Sequence, residues 1–127
     1  MNWKKFLPLV SALMLAGCVS PTFTRLTPVE QPRNANNLYP VEVEFNSQQQ
    51  SLRWDSITVS VVVNDQVIPM QPVPMVKNRW DGYVPVPPTT NSVTYRFKFD
   101  YLYNHIGTKP KEDSVISPPY KLKIVEQ

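Results

Sequence analysis

Hydrophobic and polar residues alternate with a period of two along most of the chain after residue 38. The clearest run covers residues 93–101, where Val, Tyr, Phe, Phe and Tyr alternate with Thr, Arg, Lys and Asp. Such alternation is typical of a β-strand with one buried face and one wet face. The pattern predicts six strands near residues 40–45, 57–63, 66–70, 79–86, 93–101 and 120–124, with a seventh, short strand near Met75.

One buried face per strand indicates antiparallel sheets packed against each other. No segment after residue 18 shows a helical period, and no internal repeat is present. The 14 prolines and only 3 glycines favour short strands and stiff loops. These features predict an all-β fold, a single immunoglobulin-like antiparallel β-sandwich of six to seven strands covering residues 38–127. A small β-barrel is the alternative.

The first eighteen residues have the pattern of an export signal. Lys4 and Lys5 precede an uncharged, mainly apolar run over residues 6–16, which is too short to span a membrane as a helix. The run ends in the four residues Leu15-Ala16-Gly17-Cys18, which resemble the lipobox of bacterial lipoproteins. The resemblance implies cleavage before Cys18, diacylglycerol on its thiol and an acyl chain, such as palmitate, on the new amino terminus. Cys18 is the only cysteine in the chain.

The predicted organisation follows from this signal. Residues 1–17 would be removed, and residues 18–37, which contain Pro21, Pro28 and Pro32, would form an extended, lipidated tether. Among lipoproteins an aspartate after the lipidated cysteine implies retention at the inner membrane. Since Val19 stands there, we expect a cell-envelope location, at the outer membrane if the host is Gram-negative. Loss of Lys4 and Lys5 leaves 11 basic and 10 acidic residues, a balance that argues against a nucleic-acid partner.

The composition offers little catalytic chemistry. His105 is the only histidine, and its neighbours in sequence include no obvious nucleophile or acid. One histidine and one cysteine are too few for the usual zinc or copper ligand sets, and the aspartates are scattered. We therefore expect no enzyme activity, no metal and no cofactor beyond the covalent lipid on Cys18.

Aromatic and basic residues are the remaining candidates for recognition. Trp54 and Tyr83 lie near predicted strand ends, and alternation places Tyr83 on the face opposite Trp80, which is expected in the core. His105, Lys109 and Lys111 lie in a long connection over residues 104–119, which is either a binding loop or a solvated one.

Three functions remain open from the sequence. The first is a non-catalytic structural or protein-interaction module with a partner in the bacterial envelope. The second is a carbohydrate-binding surface lipoprotein, motivated by Trp54, Trp80 and Tyr83. The third is a periplasmic chaperone-like or inhibitor domain that adds an edge strand to a client, although the prolines around Met70 would blunt that edge.

Overall fold

The computed structural model describes residues 22–107 and 109–126 as an all-β fold. Its strands in chain order are β1 (Thr22–Arg25), β2 (Glu30–Pro32), β3 (Leu38–Asn46), β4 (Leu52–Val63), β5 (Gln66–Pro69), β6 (Gln71–Pro72), β7 (Arg79–Pro85), β8 (Ser92–Tyr103), β9 (Lys111–Ile116) and β10 (Tyr120–Val125). No helix in the described ranges is long and apolar enough to cross a lipid bilayer.

The strands form two sheets in a sandwich-like arrangement. Sheet A has the order β1-β3-β7-β6, and sheet B has the order β2-β10-β8-β4-β5, with β9 also paired to β8. All pairs are antiparallel except β2 with β10. The two sheets share no strand, as expected for a sandwich.

The core contains the inward-facing residues of both sheets, as the alternation predicts. Phe45 of β3 stacks on Phe99 of β8 with ring centroids 4.5 Å apart, and Trp80 of β7 meets Phe99 edge-on at 5.7 Å. Trp80 is buried, as expected, and Val84 on the same face is fully buried. Aromatic contacts of this kind stabilise the fold beyond the effect of the apolar area that they bury, and these two join sheet A to sheet B.

The folded region begins earlier than residue 38. Residues 22–25 pair with β3 in sheet A, and residues 30–32 pair with β10 in sheet B, so the expected tether is wrong for these residues, which are strands of the two sheets. Gln31 is buried where the chain changes sheets, and its Nε2 donates to the Pro40 carbonyl oxygen at 2.9 Å. This hydrogen bond from a buried amide in sheet B to a carbonyl in sheet A holds the segment in which the chain passes from one sheet to the other.

The expected long connection over residues 104–119 also contains a strand, β9. Ser117 follows it, and the main-chain N–H of Ser117 donates to the Phe97 carbonyl at 2.8 Å, which continues the register of β9 with β8. In β10 the register with β8 has shifted by one residue. Pro118 and Pro119 fill this offset, so β9 and β10 run along β8 as one strand interrupted by a bulge. The β9 part is at the edge of sheet B, whereas β10 is flanked by β2.

Two local features explain how neighbouring strands meet. Asn64 and Asp65 both have positive φ, 47° and 65°, and form the two-residue turn between β4 and β5. Gly82 lies in β7 beneath Met70, and a Cβ at this position would lie 2.9 Å from Met70 Cγ. The glycine therefore allows Met70 to pack over sheet A.

Candidate functional site

An apolar patch lies on the outer face of sheet A. Register places Tyr83 of β7 opposite Pro40 of β3, and Pro85 opposite Leu38, and we call these four residues the Tyr83 patch. Tyr83 is 57% exposed and Leu38 is 41% exposed. Directly opposite residues on one face are close enough for their side chains to touch. The four side chains therefore form a continuous surface.

An open groove of about 410 Å³ continues this patch past Pro40. It forms where the chain leaves β1 and crosses to β2, so β3 has no strand beside Pro40 on that side. The crossing segment bonds to the backbone of β3 at Glu42, since the Leu26 N–H donates to the Glu42 carbonyl at 3.0 Å and Thr27 Oγ1 accepts from the Glu42 N–H at 2.6 Å. The lining is mainly apolar and includes Leu26, Pro28, Pro32 and Pro40.

Two carboxylates border the Tyr83 patch. Glu42 of β3 lies directly opposite Asp81 of β7, and this pair is next to the Pro40–Tyr83 pair on the outer face of sheet A. Like charges at opposite positions are unfavourable, and a bound cation would relieve the repulsion. The next pair, Glu44 and Arg79, has opposite charges and its side chains meet at 3.7 Å. The surface can therefore take an apolar group together with a positive one.

The outer edge of β9 is a second candidate surface. Within the described ranges no strand pairs with that edge, and residues 111–116 contain no proline. Because the main-chain N–H of Ser117 donates inward to the Phe97 carbonyl of β8, alternation points the N–H groups of Glu112, Ser114 and Ile116 outward. Ser114 N–H is occupied by its neighbour, the Asp113 carboxylate, at 2.8 Å.

A polar groove of about 550 Å³ lies on the outer face of sheet B and crosses β4, β8 and β9. Hydroxyls and carboxylates line it, among them Ser56, Thr58, Asp100 and Glu112. Tyr101 of β8 adjoins this groove, but its side chain lies on the opposite, buried face of the strand, where burial, and then the charge of Asp113, raises its pKa. In the part of the chain that is described, no three His, Cys, Asp or Glu side chains converge to hold a metal ion.

The residues expected to recognise a ligand do not form one site. Trp54 lies in sheet B, at the irregular start of β4, and is 39% exposed with its ring 6.1 Å from that of Phe45. Tyr83 lies in sheet A, and Trp80 is buried, so the three aromatics cannot form one stacking platform for a sugar. His105, Lys109 and Lys111 follow β8 and begin β9, all exposed.

Sequence reasoning missed Leu38 and Pro40, because only the register between β3 and β7 shows that they adjoin Tyr83. Cys18, the expected lipidation site, lies outside the described residues. No family model matches this chain, and a search of curated proteins finds none that is similar to it.

Proposed function

We propose that this protein is a lipid-anchored, non-catalytic protein-interaction module of the bacterial cell envelope, and that its fold is an immunoglobulin-like sandwich. The strand order supports the fold. Sheet A, with the order β1-β3-β7-β6, corresponds to the A-B-E-D sheet of variable-type immunoglobulin domains. Sheet B, with the order β2-β10-β8-β4-β5, corresponds to their A′-G-F-C-C′ sheet. The parallel pairing of β2 with the last strand agrees with this arrangement.

The observation that carries the function is the Tyr83 patch with its groove. Exposed aromatic and proline side chains beside a groove are typical of protein interfaces, where tyrosine is enriched. The opposed carboxylates Glu42 and Asp81 favour a partner that presents a lysine or arginine beside an apolar side chain. Lipidation at Cys18 would hold this surface at the envelope.

A photo-cross-linking amino acid at position 83, in the full chain within intact cells, tests the proposal. We expect reproducible protein adducts, identified by mass spectrometry, that decrease when Asp81→Asn is added. The matched control is the same probe at Val67, an apolar residue of sheet B with 59% exposure. Adducts of equal yield at both positions, or none at position 83, would contradict the proposal.

Strand addition is the second candidate function, and the open edge of β9 is the observation that favours it. An extended peptide can extend a sheet through main-chain hydrogen bonds at such an edge. Two other edge strands contain a proline, Pro69 in β5 and Pro72 in β6, whereas β9 contains none. A probe at Ser114 in the same cross-linking experiment separates the two modes, because adducts at 114 and not at 83 would favour strand addition.

A further inference from the structure

One end of the sandwich brings together the start of the described chain and three loops. Thr22 pairs with Asn46 at the end of β3, and Asn78 Nδ2 donates to the Asn46 side chain at 3.0 Å. Asn104 N–H donates to the Ser51 carbonyl at 2.8 Å. The loops over residues 47–51, 73–78 and 104–107 therefore share this end with Thr22, and we call it the Thr22 end.

The Thr22 end carries the most exposed apolar side chains of the described residues. Met75, in the loop after β6, and Ile106, in the loop after β8, are both essentially fully exposed. Trp54 lies at the same end, at the start of β4. Such isolated apolar side chains on separate loop tips do not form a groove for a folded partner, but each can enter a lipid interface.

The backbone at Met75 is unusual as well. Its φ of 65° lies in the left-handed region, which bulky side chains rarely adopt. Packing within the described residues does not offset the free-energy cost of this backbone conformation, since the side chain of Met75 lies in solvent. Strained, exposed residues of this kind often mark a binding surface.

The chain length before Thr22 determines what this end faces. Only residues 19–21 lie between Cys18 and Thr22 in the sequence. Four residue steps span at most about 14 Å, even when fully extended. By comparison, the 12 residues of β8 span about 40 Å along the sandwich. A lipid on Cys18 would therefore hold the Thr22 end against the bilayer and the opposite end away from it.

We propose that the Thr22 end is a membrane-contact surface, in which Met75 and Ile106 insert into the lipid headgroup region. The inference rests on the proposed lipidation of Cys18. Lys77 follows Met75 by two residues, and Lys111 lies opposite Tyr103, where the loop with Ile106 begins. Both lysines are exposed and can pair with anionic headgroups. The Tyr83 patch lies on the outer face of sheet A and stays accessible to a partner.

Single-cysteine labelling of the full lipidated chain tests this surface. Because the thiol of Cys18 would be consumed by lipid, a thiol-reactive fluorophore labels only an added cysteine, at Met75→Cys, Ile106→Cys or the control Val67→Cys. The proteins are reconstituted into vesicles of phosphatidylethanolamine and phosphatidylglycerol. We expect blue-shifted emission at 75 and 106, loss of iodide quenching, and strong quenching by nitroxide-labelled lipids, with position 67 still open to iodide.

Three results would overturn the inference, and they are distinguishable. Equal iodide quenching at 75, 106 and 67 in vesicle-bound protein would show that the Thr22 end faces water. Shielding from iodide without quenching by nitroxide lipids would show that a second copy of the chain covers it. Labelling of the parent chain, or an intact mass without acyl chains, would show instead that the anchor itself is absent, and this result contradicts the proposed function as well.

Discussion

At the scale of single residues, the hydroxyl of Ser117 replaces a main-chain acceptor where the bulge interrupts the pairing with β8. Ser117 is 1% exposed, and its Oγ accepts from the Phe97 N–H at 2.8 Å while it donates to the Pro118 carbonyl at 2.9 Å. The hydroxyl occupies the position of a main-chain acceptor that the bulge removes. Phe97 is fully buried, so its N–H depends on this contact.

Replacing Ser117 therefore should destabilise the fold although the side chain is small. Ser117→Ala leaves the Phe97 N–H without its acceptor, and such a loss lowers the free energy of unfolding by about 1–3 kcal/mol. Ser114→Ala on the same edge is the matched control, and we expect it to change stability by less than about 0.5 kcal/mol. Urea denaturation of both variants measures the difference, and equal midpoints would show that the hydroxyl is dispensable.

At the scale of elements, the turn between β4 and β5 is the sharpest case of sequence chemistry matching backbone geometry. Asn64 and Asp65 both adopt left-handed conformations, which these two residue types tolerate better than others. The turn fixes the register from Val63 with Gln66 to Ser60 with Pro69. Its residues therefore affect how firmly the edge strand β5 is held.

Two substitutions at Asp65 should have opposite effects. Asp65→Ala places a Cβ without a helpful side-chain oxygen at positive φ and should lower the free energy of unfolding by about 1 kcal/mol. Asp65→Gly gives the Asn-Gly sequence that two-residue hairpins prefer and should raise it by about 0.5 kcal/mol. Thermal denaturation checks both, and a Gly variant as unstable as the Ala variant would contradict the strain argument.

The elements also show which strands a single sequence can reveal. Alternation predicts β3, the second part of β4, β7, β8 and β10 because each has one face in the core and one in solvent. The seventh strand expected near Met75 is wrong, since residues 73–78 form a loop in which Met75 has positive φ. Alternation is silent on β9, whose residues are exposed on both faces except for the half-buried Val115. It also misses β1, β2 and β6, which have four residues or fewer, because so short a strand cannot show a period.

The sequence predicted the direction of single side chains at the candidate site, but not which residues lie together there. Alternation correctly places Tyr83 outward, since that depends on β7 alone. The Tyr83 patch and the Thr22 end depend on which strands pair and which loops share an end, and local sequence does not encode either. The tether was overestimated for a related reason. Three prolines and a lack of period describe an extended chain, and an extended chain can equally be an edge strand.

At the scale of the whole molecule, the core contains tyrosine hydroxyls that resist ionisation. Burial is the main cause that raises the pKa of Tyr95, against the opposing effect of Arg25, and burial together with Asp113 raises the pKa of Tyr101. Tyr95 is 1% exposed and Tyr101 is 8% exposed, so a phenolate at either position would lie inside the sandwich. Both residues project from β8 toward sheet A, so their ionisation affects the packing of the two sheets.

Stability should therefore fall at alkaline pH. A tyrosine with a raised folded pKa keeps its proton where the unfolded chain, near the ordinary value of 10.0, has lost it. Its contribution is fully present below pH 10 and is lost as the pH rises through the folded pKa, with a slope of at most about 1.4 kcal/mol per pH unit for each tyrosine. Urea denaturation between pH 9 and 11.5 measures this loss.

Tyr95→Phe and Tyr101→Phe should each reduce the slope of stability against pH, because phenylalanine cannot ionise. A parent slope that neither core variant reduces would place the alkaline transition in other groups.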